Sequence, residues 1–88
     1  MNELEGRPIL RPGCRLSASS DLLLIPEGAL RLQGPAAHIV QACDGVKTVP
    51  EIVATLLKNF PGTEEARVWD ETSAFLTKLR DRAILEFV

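Results

Sequence analysis

The side chains able to do chemistry are few, and none has a partner at a working distance in the sequence. His38 stands alone in Ala36-Ala37-His38-Ile39-Val40, with no second ligand at metal-binding spacing. Cys14 and Cys43 lie far apart and outside any C-x-x-C pattern, so they read as free thiols rather than a disulfide framework. Cys43 falls on an apolar helical stripe, where a thiol behaves as a small hydrophobe. The serines form no G-x-S-x-G, and the glycines build neither a phosphate loop nor a dinucleotide fingerprint. Glu27, in Pro26-Glu27-Gly28, has no second carboxylate with which to divide acid and base roles. The pattern points away from an enzyme, a metal or a cofactor. What remains is binding.

The elements that would present a binding surface fit one small domain. The chain has 88 residues, 45% hydrophobic and 25% charged, the balance of a folded globular chain rather than a disordered one. Residues 7–88 are predicted to form the domain, with 1–6 a flexible lead. A net charge of -2 argues against the phosphate backbone of nucleic acid as the main partner. No apolar run approaches the roughly 20 residues that span a bilayer. The opening Met-Asn-Glu-Leu-Glu-Gly lacks the basic and apolar regions of a signal peptide, so a cytoplasmic protein without a membrane partner is expected.

Leu22 to Leu32 is the organising stretch. Two apolar runs flank Pro26-Glu27-Gly28, and the reading is a β-hairpin with a three-residue loop. Leu22-Leu23-Leu24-Ile25 is apolar at every position, which predicts a mid-sheet strand covered on both faces. In the second strand Leu30 and Leu32 share one face while Ala29 and Arg31 share the other, the alternation of a strand with one buried side. That leaves Ala29 to Leu32 as the candidate edge, with backbone groups free to pair with an extended peptide. Upstream, Arg7 to Gly13 reads as an extended lead-in, and Cys14-Arg15-Leu16 as a short strand completing a three-stranded meander.

Three helices follow. Pro35 suits the first turn of one carrying Ala36, Ile39, Val40 and Cys43 on its apolar stripe, ended by Asp44-Gly45. Thr48-Val49-Pro50-Glu51 has the form of a capping box and opens a second helix with Ile52, Val53, Leu56, Leu57 and Phe60 at helical spacing. Asn59-Phe60-Pro61-Gly62 stops it. Thr63 is the predicted cap of the third helix. That helix carries an apolar stripe wider than one packed seam needs, so Trp69 and Leu76 are assigned to the core and Val68, Thr72 and Phe75 to a shoulder partly free for a ligand. Ile84 to Val88 reads as an extended tail packed on the domain. The sum is a winged-helix-like α+β domain, a small three-stranded antiparallel sheet followed by three helices.

Two binding modes compete for such a domain. As a DNA-binding or transcription-regulatory winged helix, it would insert the third helix into the major groove. The start of that helix carries Glu64, Glu65, Asp70 and Glu71 against Arg67, a surface that phosphates repel. Peptide binding asks for an open strand edge beside an apolar shoulder, and the hairpin with the third helix supplies both.

The stretch Leu23-Leu24-Ile25-Pro26-Glu27-Gly28, the helix start at Ala36 to Ile39, Cys43-Asp44-Gly45, Thr48-Val49-Pro50-Glu51-Ile52-Val53 and the segment from Phe75-Leu76 to Leu85 together resemble the PqqD family of pyrroloquinoline quinone (PQQ) biosynthesis. The L-x-P-E-G stretch followed by D-G-x-x-T-V-x-E-I is specific in combination. The resemblance implies a non-enzymatic peptide chaperone without a cofactor. Its guest would be the precursor peptide PqqA, added as a strand and presented to the radical-SAM enzyme PqqE. Carried over by position, the pairing strand is Ala29, Leu30, Arg31 and Leu32, and the helix wall includes Val68, Thr72 and Phe75. Arg7, Arg11 and Arg15 are candidates to face the enzyme, and an open edge also admits a homodimer. Relatives often carry tyrosine where Ile25 stands, asparagine where Gln33 stands and glycine where Ala83 stands.

Overall fold

The structure is a computed structural model that describes residues 6–19 and 21–88. The flexible lead expected over residues 1–6 therefore lies, for residues 1–5, outside the described residues. Eight elements follow in order: β1 (Pro8–Leu10), β2 (Arg15–Leu16), β3 (Leu22–Ile25), β4 (Gly28–Arg31), α1 (Ala36–Gln41), α2 (Val49–Asn59), α3 (Glu65–Asp81) and β5 (Leu85–Phe87). They form a three-stranded antiparallel sheet in the order β2-β3-β4, three helices, and a second sheet of β1 and β5.

The hairpin forms where it was expected, with a shorter turn. Ile25 pairs with Gly28, so the loop is Pro26-Glu27 alone. Proline presets φ at the first turn position, and Gly28 opens β4 at φ +149°, backbone that a side chain would disfavour. β3 is the central strand, as predicted, but it is covered on one face only. Leu23 and Ile25 are buried, whereas Leu22 and Leu24 stay half-buried, because the core lies on one side of the sheet.

The helices supply most of that core. Ile39 and Val40 come from α1, Val49, Ile52, Val53 and Leu56 from α2, and Leu76 and Leu79 from α3. The capping box is present: Thr48 N–H donates to Glu51 Oε1 at 2.8 Å and Glu51 N–H donates to Thr48 Oγ1 at 3.4 Å. The Thr48 N–H, and then the Thr48 hydroxyl donating to the same Oε1 at 3.0 Å, favour the ionised carboxylate and hold Glu51 below its ordinary pKa. α3 starts differently from the expectation. Its N-cap is Glu64 rather than Thr63, with no side-chain cap bond.

The tail does pack on the domain, and it does so as a strand. β5 pairs with β1 in the register Pro8↔Phe87, Ile9↔Glu86 and Leu10↔Leu85. α3 reaches it through a tight stop: Ala83 sits at φ +59°. Ala83 N–H donates to Arg80 O at 2.9 Å and Ile84 N–H to Leu79 O at 2.9 Å, a Schellman motif sealed by the buried Ile84 and Leu79. Alanine thus occupies the left-handed position that glycine would fill without steric cost.

The D-G-x-x-T-V-x-E-I stretch acts as scaffolding. Asp44 accepts from Val46 N–H at 2.9 Å, Lys47 N–H at 3.2 Å and Lys47 Nζ at 2.9 Å. The Lys47 ammonium, with the backbone N–H of Val46, pulls its pKa down to about 2. Gly45, at φ +78°, donates its N–H to Pro8 O at 2.9 Å, and a Cβ there would lie 3.1 Å from Ile9 Cδ1. Glycine is what lets this loop close on β1.

Candidate functional site

Hydrogen-bond alternation along β4 decides which of its backbone groups are available. Leu32 N–H donates to Asp21 O at 2.9 Å, which marks positions 21 and 32 as a hydrogen-bonded pair. In an antiparallel ladder such pairs alternate with open ones. With Leu23↔Leu30 and Leu24↔Ala29 in register, Leu30 turns its N–H and C=O inward to β3, while Ala29 and Arg31 turn theirs outward. Among the described residues no strand pairs with β4 on that outer side. The site is therefore two donors and two acceptors at alternate positions.

Side chains divide along the same alternation. Leu30, opposite the buried Leu23, is half-buried and packs with Leu32 against the core cluster. Ala29 and Arg31 lie exposed on the other face, beside Leu24 and Leu22. Arg31 lies in the field of Asp21, whose carboxylate is held below its usual pKa first by the Ser19 hydroxyl and also by Ser17 and the Arg31 charge.

Beyond the end of β4 an apolar groove of about 280 Å³ opens between the helices. Pro35, three residues after Leu32, forms one lip, so the groove begins within about 10 Å of chain from the strand. Ile39, Leu56, Phe60, Val68 and Thr72 line it, and Thr63 with the Arg67–Glu71 ion pair stands at its border. Val68 and Thr72 are expected on a shoulder partly free for a ligand. Instead they are 8% and 1% exposed and contribute to the lining from within the core. Phe75 is half-buried and lies outside the lining, as does Trp69. Helical phase explains the difference: the buried residues of α3 are Val68, Thr72, Leu76 and Leu79, and Phe75 stands to one side of that stripe. The contributions of α1 and α2 were missed. The one available signal was Phe60, a large aromatic placed immediately before the helix-stopping Pro61-Gly62.

The lone reactive groups have structural surroundings. His38 is exposed and meets Phe60 edge to face at 5.1 Å between ring centres. Cys43 is buried, its Sγ donates to Ile39 O at 3.2 Å, and burial, then Asp44, pushes its pKa to about 12, so it stays a thiol at neutral pH. Both cysteines are free. Among the described residues no cluster of His, Cys, Asp and Glu is placed to hold a metal ion. No helix among them is long and apolar enough to cross a membrane.

Fold and edge together define a winged-helix-like α+β domain whose three-stranded sheet ends in an unpaired strand next to an apolar groove. Within that class the comparisons are specific: the family model for coenzyme PQQ synthesis protein D (PqqD) matches residues 22–85, and the chain belongs to the PqqD family. It is 34% identical to the PqqA binding protein of Azotobacter vinelandii over 83 residues, covering 90% of this chain and 88% of that one. It is 36% identical to the PqqA binding protein of Pseudomonas fluorescens over 77 residues, covering 83% and 82%. Among solved structures it is similar to the PqqD truncation of Methylobacterium extorquens PqqCD, described as a functional, stand-alone recognition element for ribosomally synthesised and modified peptides. The TM-score is 0.69 at 25% identity, over 90% of this chain and 87% of that one.

Proposed function

We propose that this chain is a non-enzymatic peptide chaperone of PQQ biosynthesis, which takes up the precursor peptide PqqA as a fourth strand on β4 and presents it to PqqE. The outward-turned N–H and C=O groups of Ala29 and Arg31 carry the reading, because they accept an extended backbone with little demand on its sequence. Selectivity then falls to side chains: Leu30 and Leu32 under the guest strand, and the groove of Pro35, Phe60, Val68 and Thr72 for an apolar residue beyond it. Relatives named for binding PqqA support this assignment of partner. Guest segments that become ordered on binding lose entropy, so the complex is of moderate affinity and releasable. Of the three arginines considered for the enzyme-facing side, Arg7 donates to Val46 O and Arg11 pairs with Glu86, which leaves Arg15 on the exposed face of β2 as the best placed.

The test is a titration of labelled PqqA peptide into the wild-type chain and Arg31→Pro, with circular dichroism as the folding control. Proline at 31 deletes an outward donor and no bond of the domain's own ladder, so binding falls by about tenfold or more while the fold persists. Unchanged affinity in a folded Arg31→Pro rejects strand addition at β4. Addition of PqqE to the labelled complex then measures whether a ternary species forms.

A further inference from the structure

We propose that Arg31 selects an acidic residue in the guest strand and thereby fixes the register in which the guest lies on β4. The inference rests on the reading of β4 as the guest edge, and adds to it a demand on the guest's sequence.

Backbone pairing alone leaves the register open. The outward N–H and C=O groups of Ala29 and Arg31 meet any extended chain, and a slip of two residues restores every bond with each guest side chain still on its own face. A slip of one is excluded, because it carries the guest's apolar set away from Leu30 and Leu32. The choice among the remaining registers falls to side chains that differ along the exposed row.

Alternation places that row. Guest residues level with Leu30 and Leu32 share the core side with them, and guest residues level with Ala29 and Arg31 share the exposed side, whichever way the guest runs. Side chains level with one another on adjacent strands stand about 5 Å apart at Cβ, close enough for charges to act. On its inner side Arg31 is level with Leu22, which offers no charge. On its outer side the neighbour is the guest.

The charge is available to that neighbour. Arg11, Arg67 and Arg80 each hold an ion pair and Arg7 donates to Val46 O, whereas Arg31 forms no ion pair among the described residues. The acid whose field reaches Arg31 is Asp21, and its Oδ1 already accepts the hydroxyls of Ser17 and Ser19. Along the row the sign changes: Ala29 is neutral, and Glu27 of the turn lies beyond it. A guest carboxylate is therefore attracted at the Arg31 position, gains nothing beside Ala29 after a slip of two, and approaches a like charge if carried further. The guest so selected has an acidic residue flanked on both sides by apolar ones, the apolar pair lying level with Leu30 and Leu32.

A charge-swap titration of the full chain tests this. In a panel of labelled PqqA peptides each acidic residue is replaced in turn by lysine, and every peptide is titrated into wild type, Arg31→Gln and Arg31→Glu, with circular dichroism as the folding control. Arg31→Gln keeps the backbone N–H that Arg31→Pro removes, so it isolates the charge. One lysine peptide should bind wild type roughly three- to fivefold more weakly than its parent, lose that difference against Arg31→Gln, and bind Arg31→Glu more tightly than the parent does. High salt should shrink the coupling. Arg82→Glu, an equal change of net charge at the end of α3, should shift all peptides alike. Losses that Arg31→Glu recovers at no single position, or recovery matched by Arg82→Glu, overturn the selection by Arg31, while loss of binding in Arg31→Pro still reports strand addition. Unchanged binding by a folded Arg31→Pro removes the strand-addition reading, and the register argument with it.

Discussion

β4 and β5 each have one side without a strand partner among the described residues, yet they are built to opposite ends. β5 is the outer member of a two-stranded sheet whose other strand, β1, is closed off by Gly45 N–H on Pro8 O and the Ile9↔Asp44 bridge. Its centre is Glu86, ion-paired with Arg11 at 3.3 Å, and its flanks are the buried Leu85 and half-buried Phe87. β4 carries glycine, alanine and arginine on the exposed side, with a leucine beneath and a groove beyond. The contrast shows that an open edge becomes receptive through the side chains along it: a glutamate at the centre of β5 opposes a second strand, whereas Gly28 and Ala29 leave β4 accessible.

Proline substitution is the severest way to probe the contrast. Leu30→Pro removes the inward donor to Leu23 and leaves a carbonyl of the central strand unpaired, at a cost of about 1–3 kcal/mol before any distortion, so loss of the fold by circular dichroism is expected. Arg31→Pro, one residue on, leaves that ladder complete; equal unfolding by the two would erase the distinction between inward and outward positions. Next in size is Glu86→Leu, which lifts the charge from β5 and should produce concentration-dependent association in light scattering. Its folding stability should change by under about 1 kcal/mol, because the ion pair is half exposed. Phe60→Ala, in the groove lining, should weaken guest binding several-fold, whereas Phe75→Ala, outside it, should leave affinity nearly unchanged in the same titration.

Two smaller effects concern the supports of β5 and β1. Ala83→Gly relieves a left-handed conformation that costs an L-residue about 1–2 kcal/mol, against roughly 0.4–1 kcal/mol of extra freedom in the unfolded chain, so thermal unfolding should report a gain of up to about 1 kcal/mol. Asp44 has its folded pKa depressed from 3.8 to about 2, so its contribution is complete above the unfolded value and is lost as pH falls through the folded one. Stability of the wild type should therefore drop more between pH 4 and pH 2 than that of Asp44→Asn, measured by denaturant titration at each pH.

Local signals were readable from the sequence and distant ones were not. Thr48 to Glu51, Pro35, and the apolar runs about Pro26-Glu27 each act within a few residues, and they predicted the hairpin and the helices. The pairing of Pro8–Leu10 with Leu85–Phe87 joins three-residue segments from opposite ends of the chain, too short for alternation to register. The edge at Ala29 to Leu32 followed from that alternation, but the phase of its hydrogen bonds did not, because only the ladder says which N–H points outward. Val68 and Thr72 line the groove but are more deeply buried than expected, since one helical stripe does not reveal how much of its width a second helix will cover.

The reciprocal bonds between Arg7 and Val88 bring the two ends of the fold side by side. A short bridge from Val88 back to the start of the chain, with new ends cut at Pro61-Gly62, therefore yields a circular permutant in which every strand keeps its neighbour. In that permutant the most distant contact of the molecule becomes a local one, and collapse should be faster, because closing a small loop costs less entropy than closing one that spans the whole chain.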